Sequence, residues 1–140
     1  MNRGALFAKS IVLVGVIGWL VESLRTGEWH CDSLPGGHKN CAPFAIAWGL
    51  AGILLLGLRL LLPNTNRLLL SVFAAIVMSS FECVIGNLAL IVGMQVEDLW
   101  NYTGITTCKG FVSAQITVYW VALSFLYYTL IDHVIEQEKI

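Results

Sequence analysis

Hydrophobic positions in this chain gather into four long runs rather than into the short periodic stripes of a soluble fold. The runs cover about residues 4–24, 43–62, 68–94 and 111–131. An apolar helix of about 20 residues crosses a hydrocarbon layer of ~30 Å, and each run meets that length. Nothing alternates polar and apolar with period two, which excludes a small outer-membrane barrel. The pattern predicts an all-α, polytopic membrane protein: one domain over residues 1–140, a bundle of four transmembrane helices.

Polar residues punctuate the runs where such helices should start and stop. Lys9 lies early enough in the first run to snorkel, and Glu22 lies near its far end. The basic start followed by an apolar stretch also has the form of a signal peptide. No small-x-small cleavage site precedes Glu22, so a retained helix is expected. Pro43 opens the second run as a first-turn residue, Arg59 sits in its last turn, and Pro63-Asn64-Thr65-Asn66 breaks it. The fourth run gives way to a polar tail, Asp132 to Lys139. No low-complexity segment and no repeat between the halves stands out.

Composition agrees with the runs. Hydrophobic residues make up 57% of the chain and charged ones 12%, too few to coat a soluble core of this size. The formal net charge of -1 points to no particular partner, and no basic stripe with interleaved aromatics invites nucleic acid. The partners expected are membrane lipids together with further copies or other membrane subunits. Four spans put both termini on one side, with Arg3, Lys9, Arg59, Arg67 and Lys139; the other side holds Arg25, Lys39 and Lys109. The Lys/Arg excess predicts cytoplasmic termini.

Cys31, Cys41 and Cys108 then fall on the outer side. A Pro35-Gly36-Gly37 turn would let Cys31 and Cys41 meet, and a disulfide there is worth roughly 3 kcal/mol in the chain-entropy model. Two other readings stand beside it: unpaired loop cysteines, or a zinc site from His30, Cys31, His38 and Cys41, whose spacing matches no familiar finger. Quinone-linked thiol oxidation would use a Cys-x-x-Cys pair, which this chain lacks. Asn101-Tyr102-Thr103 fits the glycosylation pattern but hugs the membrane, and is read as chance.

Ionisable groups inside spans are costly and are candidate functional groups by default. Helical rise places Glu22 roughly 25 Å, and Glu82 roughly 21 Å, from the inner ends of their spans, with Gln115 about 6 Å below the outer end of the fourth. All three reach similar depths. Gly15, Gly18 and Glu22 share a helical face with Trp19 beside it; Ala75, Ser79, Glu82 and Gly86 follow steps of three and four; Gln115 and Tyr119 lie one turn apart. The candidate binding pocket is therefore Glu22, Glu82 and Gln115, walled by Trp19, Trp48 and Tyr119, with the first and third helices packed together. Two carboxylates so placed would not both ionise cheaply. The bland alternative makes both glutamates hydrogen-bonded packing groups.

These residues also carry a resemblance. Gly18-Trp19-Leu20-Val21-Glu22 resembles the Gly-Trp-x-x-Glu signature of the bacterial ABC-transporter permease family labelled CmpB-like. Asn40-Cys41-Ala42-Pro43-Phe44 and Trp48-Gly49 resemble that family's Gly-Pro lead into the second span and its aromatic-Gly step. Phe81-Glu82-Cys83-Val84-Ile85-Gly86 is similar to its Glu-x-x-x-Gly. Trp100-Asn101-Tyr102, Gly110 and Trp120 are similar to its Trp-Asp-Tyr, Gly and Trp pattern, with Asn101 where an acidic residue is usual. The resemblance runs over about residues 11–128 and implies a transport-related membrane subunit.

The chain has no phosphate-binding loop of its own, so ATP hydrolysis would need a separate subunit. No metal, cofactor or catalytic constellation is expected. The expected function is a transport component, or a binding subunit of a larger membrane complex, with a polar pocket at outer-leaflet depth. The alternatives are a membrane enzyme acting on a lipid or quinone, with Glu22 or Glu82 as acid/base, and a structural accessory subunit.

Overall fold

The computed structural model describes residues 2–26, 32–33, 39–40, 42–93 and 102–138, with side chains for all of these except 22, 25–26, 32–33, 39–40, 42–47 and 138. The chain folds as two compact units, Met1–Leu61 and Leu62–Ile140.

The first unit contains α1 (Arg3–Thr26), β1 (Asp32–Ser33), β2 (Lys39–Asn40) and α2 (Ala42–Leu61). Asn2 caps α1: its side-chain oxygen accepts from the Gly4 amide at 2.9 Å, satisfying one of the donors every helix start leaves over. β1 and β2 pair antiparallel, and α1 packs along α2. The helix contacts run in opposite directions, Ser10 meeting Gly52 while Gly18 meets Trp48. Small residues set the spacing. A Cβ on Gly52 would stand 2.6 Å from the Ser10 carbonyl oxygen, and one on Gly18 would enter the Trp48 ring. With the backbones this close, the buried Ser10 hydroxyl donates to the Gly52 carbonyl at 2.9 Å.

The second unit contains α3 (Arg67–Ile91), β3 (Thr106–Thr107), β4 (Val112–Ser113) and α4 (Ala114–Glu138). The Pro63 break ends in Asn66, whose side chain accepts from the Leu68 and Leu69 amides and so starts α3. Ser113 does the same for α4 through the Ile116 amide at 3.4 Å. β3 pairs antiparallel with β4, and α3 packs along α4. Ser79 and Thr117 share a hydrogen bond of 2.8 Å midway along the seam. At its far end Arg67 donates to Asp132 at 2.9 Å. That ion pair explains why α4 continues through Glu138, where a polar tail had been expected from Asp132 onward: the Asp132 side chain is buried with a cationic partner at the start of α3.

Among the described residues both units thus share the order helix, two short paired strands, helix, with a 3-10 turn at Cys108–Gly110 between the strands of the second, although no repeat is legible in the sequence. Both also bury the wrong residues for a soluble protein. On α1 the buried positions include Ser10, Gly15, Gly18 and Ser23, while Val12, Val16, Ile17, Leu20 and Leu24 are exposed. On α3 the buried residues are Ser71, Ala74, Ala75 and Gly86 with Leu70 and Met78, while Leu69, Ile76, Val84, Ile85 and Leu88 are exposed. Small residues at the seam and large apolar ones outside suit a lipid surrounding and would aggregate in water. Among the described residues, three helices are long and apolar enough to cross a membrane: Arg3–Val21, Arg67–Ile91 and Ala114–Gln137. The described apolar part of α2, Trp48–Leu61, is shorter.

Candidate functional site

Within the second unit, polar groups converge on one face of α3. Glu82, Cys83, Gly86 and Asn87 are one turn apart in pairs and make a contiguous patch on the helix surface. Glu82 is half-buried there, and both its oxygens accept short hydrogen bonds. The Tyr102 hydroxyl donates to Oε2 at 2.8 Å, and the Trp120 indole Nε1 donates to Oε1 at 2.8 Å.

The direction of side chains on antiparallel helices explains the Trp120 contact. A side chain leans toward the start of its own helix, so Glu82 on α3 leans toward Arg67, and Trp120 on α4 leans toward Ala114. Ser79 already faces Thr117. Glu82, one turn beyond Ser79, and Trp120, one turn beyond Thr117, therefore lean toward each other across the seam. Tyr102 comes from the connection between α3 and α4, which folds back onto the same face.

Four restraints hold that connection. A disulfide joins Cys83 on α3 to Cys108, with Cα atoms 5.7 Å apart. The Phe111 ring lies against Gly86, where any Cβ would stand 2.7 Å from Phe111 Cδ1. The Asn87 amide donates to Cys108 Sγ at 3.1 Å and to its own helix at the Cys83 carbonyl, 2.8 Å. The Tyr102 amide donates to the Gly110 carbonyl at 2.8 Å, and the Ala114 amide to Ile105 at 3.0 Å. Together these force a tight left-handed turn at Cys108, Lys109 and Gly110, with φ of 54°, 58° and 86°. Glycine adopts that conformation readily, but Cys108 and Lys109 give up roughly 1–2 kcal/mol each. The turn persists because its surroundings over-determine it.

The other residues of the expected pocket are placed as follows. Gln115 and Tyr119 bond to each other, Nε2 to the hydroxyl at 3.0 Å, on an exposed face of α4. Trp19 is half-buried on α1, and Trp48 lies against Gly18 on α2. Glu22 is a helical residue of α1 whose side chain lies outside the described residues, as do Cys31 and Cys41, the expected disulfide, and with them His30, His38 and Asn101. Tyr102, Trp120, Cys83, Cys108 and Asn87 were not placed in the pocket by sequence reasoning. Tyr102 and Trp120 nevertheless stand in the motifs that carry the resemblance, and that was the signal available. Among the described residues, no three His, Cys, Asp or Glu side chains are grouped to hold a metal ion.

A carboxylate that accepts from a phenol and an indole can take a proton, hold a small cation, or receive a donor from a polar ligand head. Long apolar helices with small-residue seams and such a centre define a membrane protein with several helices. The particular family follows from comparison: a family model described as "Putative ABC-transporter type IV" (ABC_trans_CmpB) matches residues 10–140, and the chain belongs to that family. It is a transport-related membrane protein. No curated protein and no solved structure matches the chain.

Proposed function

We propose that the chain is a membrane subunit of a transport complex, and that the Glu82 centre is the polar site through which it takes part in transport. The observation that carries this reading is the pair of 2.8 Å hydrogen bonds that fix both oxygens of a carboxylate lying about 21 Å along a membrane-length helix. A helix designed only to pack gains little from a charge at that depth, since an ionisable group in a span is expensive to keep. In this reading the Glu82 centre receives a polar ligand head at outer-leaflet depth, with Gln115 and Tyr119 of the same unit as its further candidates. The termini are cytoplasmic in this reading. The Cys83–Cys108 disulfide supports that side assignment independently of the charge bias, because such bonds persist where the compartment is oxidising.

Since the chain carries no phosphate-binding loop, the reading requires a partner that hydrolyses ATP. Purification of the tagged chain from its native membrane in mild detergent, followed by mass spectrometry, is expected to recover an ATP-binding subunit in fixed proportion. Recovery of the chain alone, or with copies of itself only, would count against a transport complex of this type.

A further inference from the structure

We propose that the Cys83–Cys108 bond is a thiol-exchange site for a dithiol reductant, and that its cleavage releases Tyr102 from Glu82. Three features point this way. The disulfide is next in the chain to Glu82, so the one covalent tie of the connection lies beside the group that Tyr102 covers. The connection is held in a left-handed turn at Cys108 and Lys109, a conformation that non-glycine residues leave when a restraint is removed. Both cysteines are only half-buried within the fold, so packing of the chain itself does not enclose the bond.

The exchange balances without any further reactant. One thiolate of the dithiol attacks Cys83 Sγ, forming a mixed disulfide and expelling Cys108 as a thiolate. The second thiolate of the reductant then attacks the mixed disulfide and frees Cys83. The Cys83–Cys108 bond breaks, a disulfide forms within the reductant, two electrons pass to the cysteine pair, and the reductant's two protons end on the two sulfurs. Asn87 is a positioning residue for this step. Its Nδ2 stands 3.1 Å from Cys108 Sγ and 3.7 Å from Cys83 Sγ, so it stabilises charge better on Cys108 and favours that sulfur as the leaving group.

With the bond open, the turn has lost its covalent tie to α3 and is held by hydrogen bonds, the Tyr102–Gly110 and Ala114–Ile105 pairs and the β3–β4 ladder among them, together with Phe111 on Gly86. The proposal rests on the Glu82 reading for what the latch uncovers, whereas amide exchange reads the latch itself. An inert Glu82 and an absent latch therefore give different results.

The test is peptide-resolved hydrogen exchange on the full chain in lipid nanodiscs, before and after dithiothreitol, with the redox state of Cys83 and Cys108 followed by alkylation and mass spectrometry. The expected result is exchange at least about tenfold faster over residues 102–114 on reduction, with α3 and α4 unchanged. The double variant Cys83→Ser/Cys108→Ser, which leaves Cys31 and Cys41 in place, is expected to show the fast pattern without reductant. Asn87→Leu is expected to slow reduction, read as the rate at which both sulfurs become open to alkylation. Unchanged exchange after proven cleavage would overturn the proposal. So would a bond that dithiothreitol cannot reach in the folded protein, faster exchange throughout α3 and α4, or a double variant that does not fold, since each makes the bond a staple of the fold.

Discussion

Gly52→Leu is expected to separate α1 from α2 and to cost about 3 kcal/mol or more, the upper part of the range for overpacked sites. The reason is that the obstacle is backbone. A Cβ at residue 52 would lie 2.6 Å from the Ser10 carbonyl oxygen and 3.1 Å from its carbon, and no rotamer change can move those atoms aside. The displacement would also break the Ser10–Gly52 hydrogen bond of 2.9 Å, which exists only because the helices approach so closely. Gly57, five residues further along the same helix, is the control. Nothing lies within 4 Å of a Cβ built there, so Gly57→Leu should leave stability unchanged. Reversible unfolding in mixed detergent micelles measures both. Equal tolerance of leucine at the two positions would show that α1 and α2 do not pack through Gly52.

Glu82→Leu is expected to destabilise the second unit by roughly 2–4 kcal/mol, whereas Glu82→Gln should cost about 1 kcal/mol or less. Leucine removes the acceptor for both the Tyr102 hydroxyl and the Trp120 indole, and Trp120 is only 9% exposed, so loss of this bond is costly there. Glutamine keeps the shape and still serves both partners: its carbonyl accepts from Trp120, and its amide donates to the Tyr102 hydroxyl, which can accept as well as donate. Thermal unfolding monitored by tryptophan fluorescence separates the two variants. Similar losses for both would mean that the negative charge itself, rather than the hydrogen bonds, holds this part of the fold.

Much of the helical framework is legible in the sequence because the apolar runs are long and their punctuation is chemical. Asn66 caps α3 at the end of a break that composition already marks. What escapes is whatever depends on a partner far along the chain. Residues 111–113 read as the start of the fourth run, yet α4 begins at Ala114 because Phe111 is used against Gly86 and Val112–Ser113 form a strand. Strands of two residues are too short to show a period, which is why the shared plan of the two units leaves no trace in the hydrophobic pattern.

The candidate site was legible as a charge within an apolar run and only partly in direction. Glu82 stands out as a charge inside a span. Choosing which α4 residue meets it requires knowing which way each side chain leans, and adjacent positions on a helix differ by about 100°. Tyr119 was favoured for lying one turn from Gln115, and those two do bond to each other, but the indole that donates to Glu82 belongs to Trp120. The cysteine pairing shows the same limit. Cys31 and Cys41 invite pairing because a turn lies between them, whereas Cys83 and Cys108 are 25 residues apart and one of them lies within an apolar run. Connectivity of that kind is set by the fold and cannot be deduced from spacing alone.

The central claim is that Glu82 works through its charge and not only through its hydrogen bonds. It is tested most directly by ATP hydrolysis of the purified complex in liposomes, assembled with the native chain or with Glu82→Gln. The account predicts that Glu82→Gln assembles in normal proportion and keeps the second unit folded, while transport-coupled hydrolysis falls at least about tenfold, the loss expected when a positioned acid/base or charged ligand group is neutralised. Hydrolysis at the native rate with Glu82→Gln in place would contradict it and leave Glu82 as a packing group.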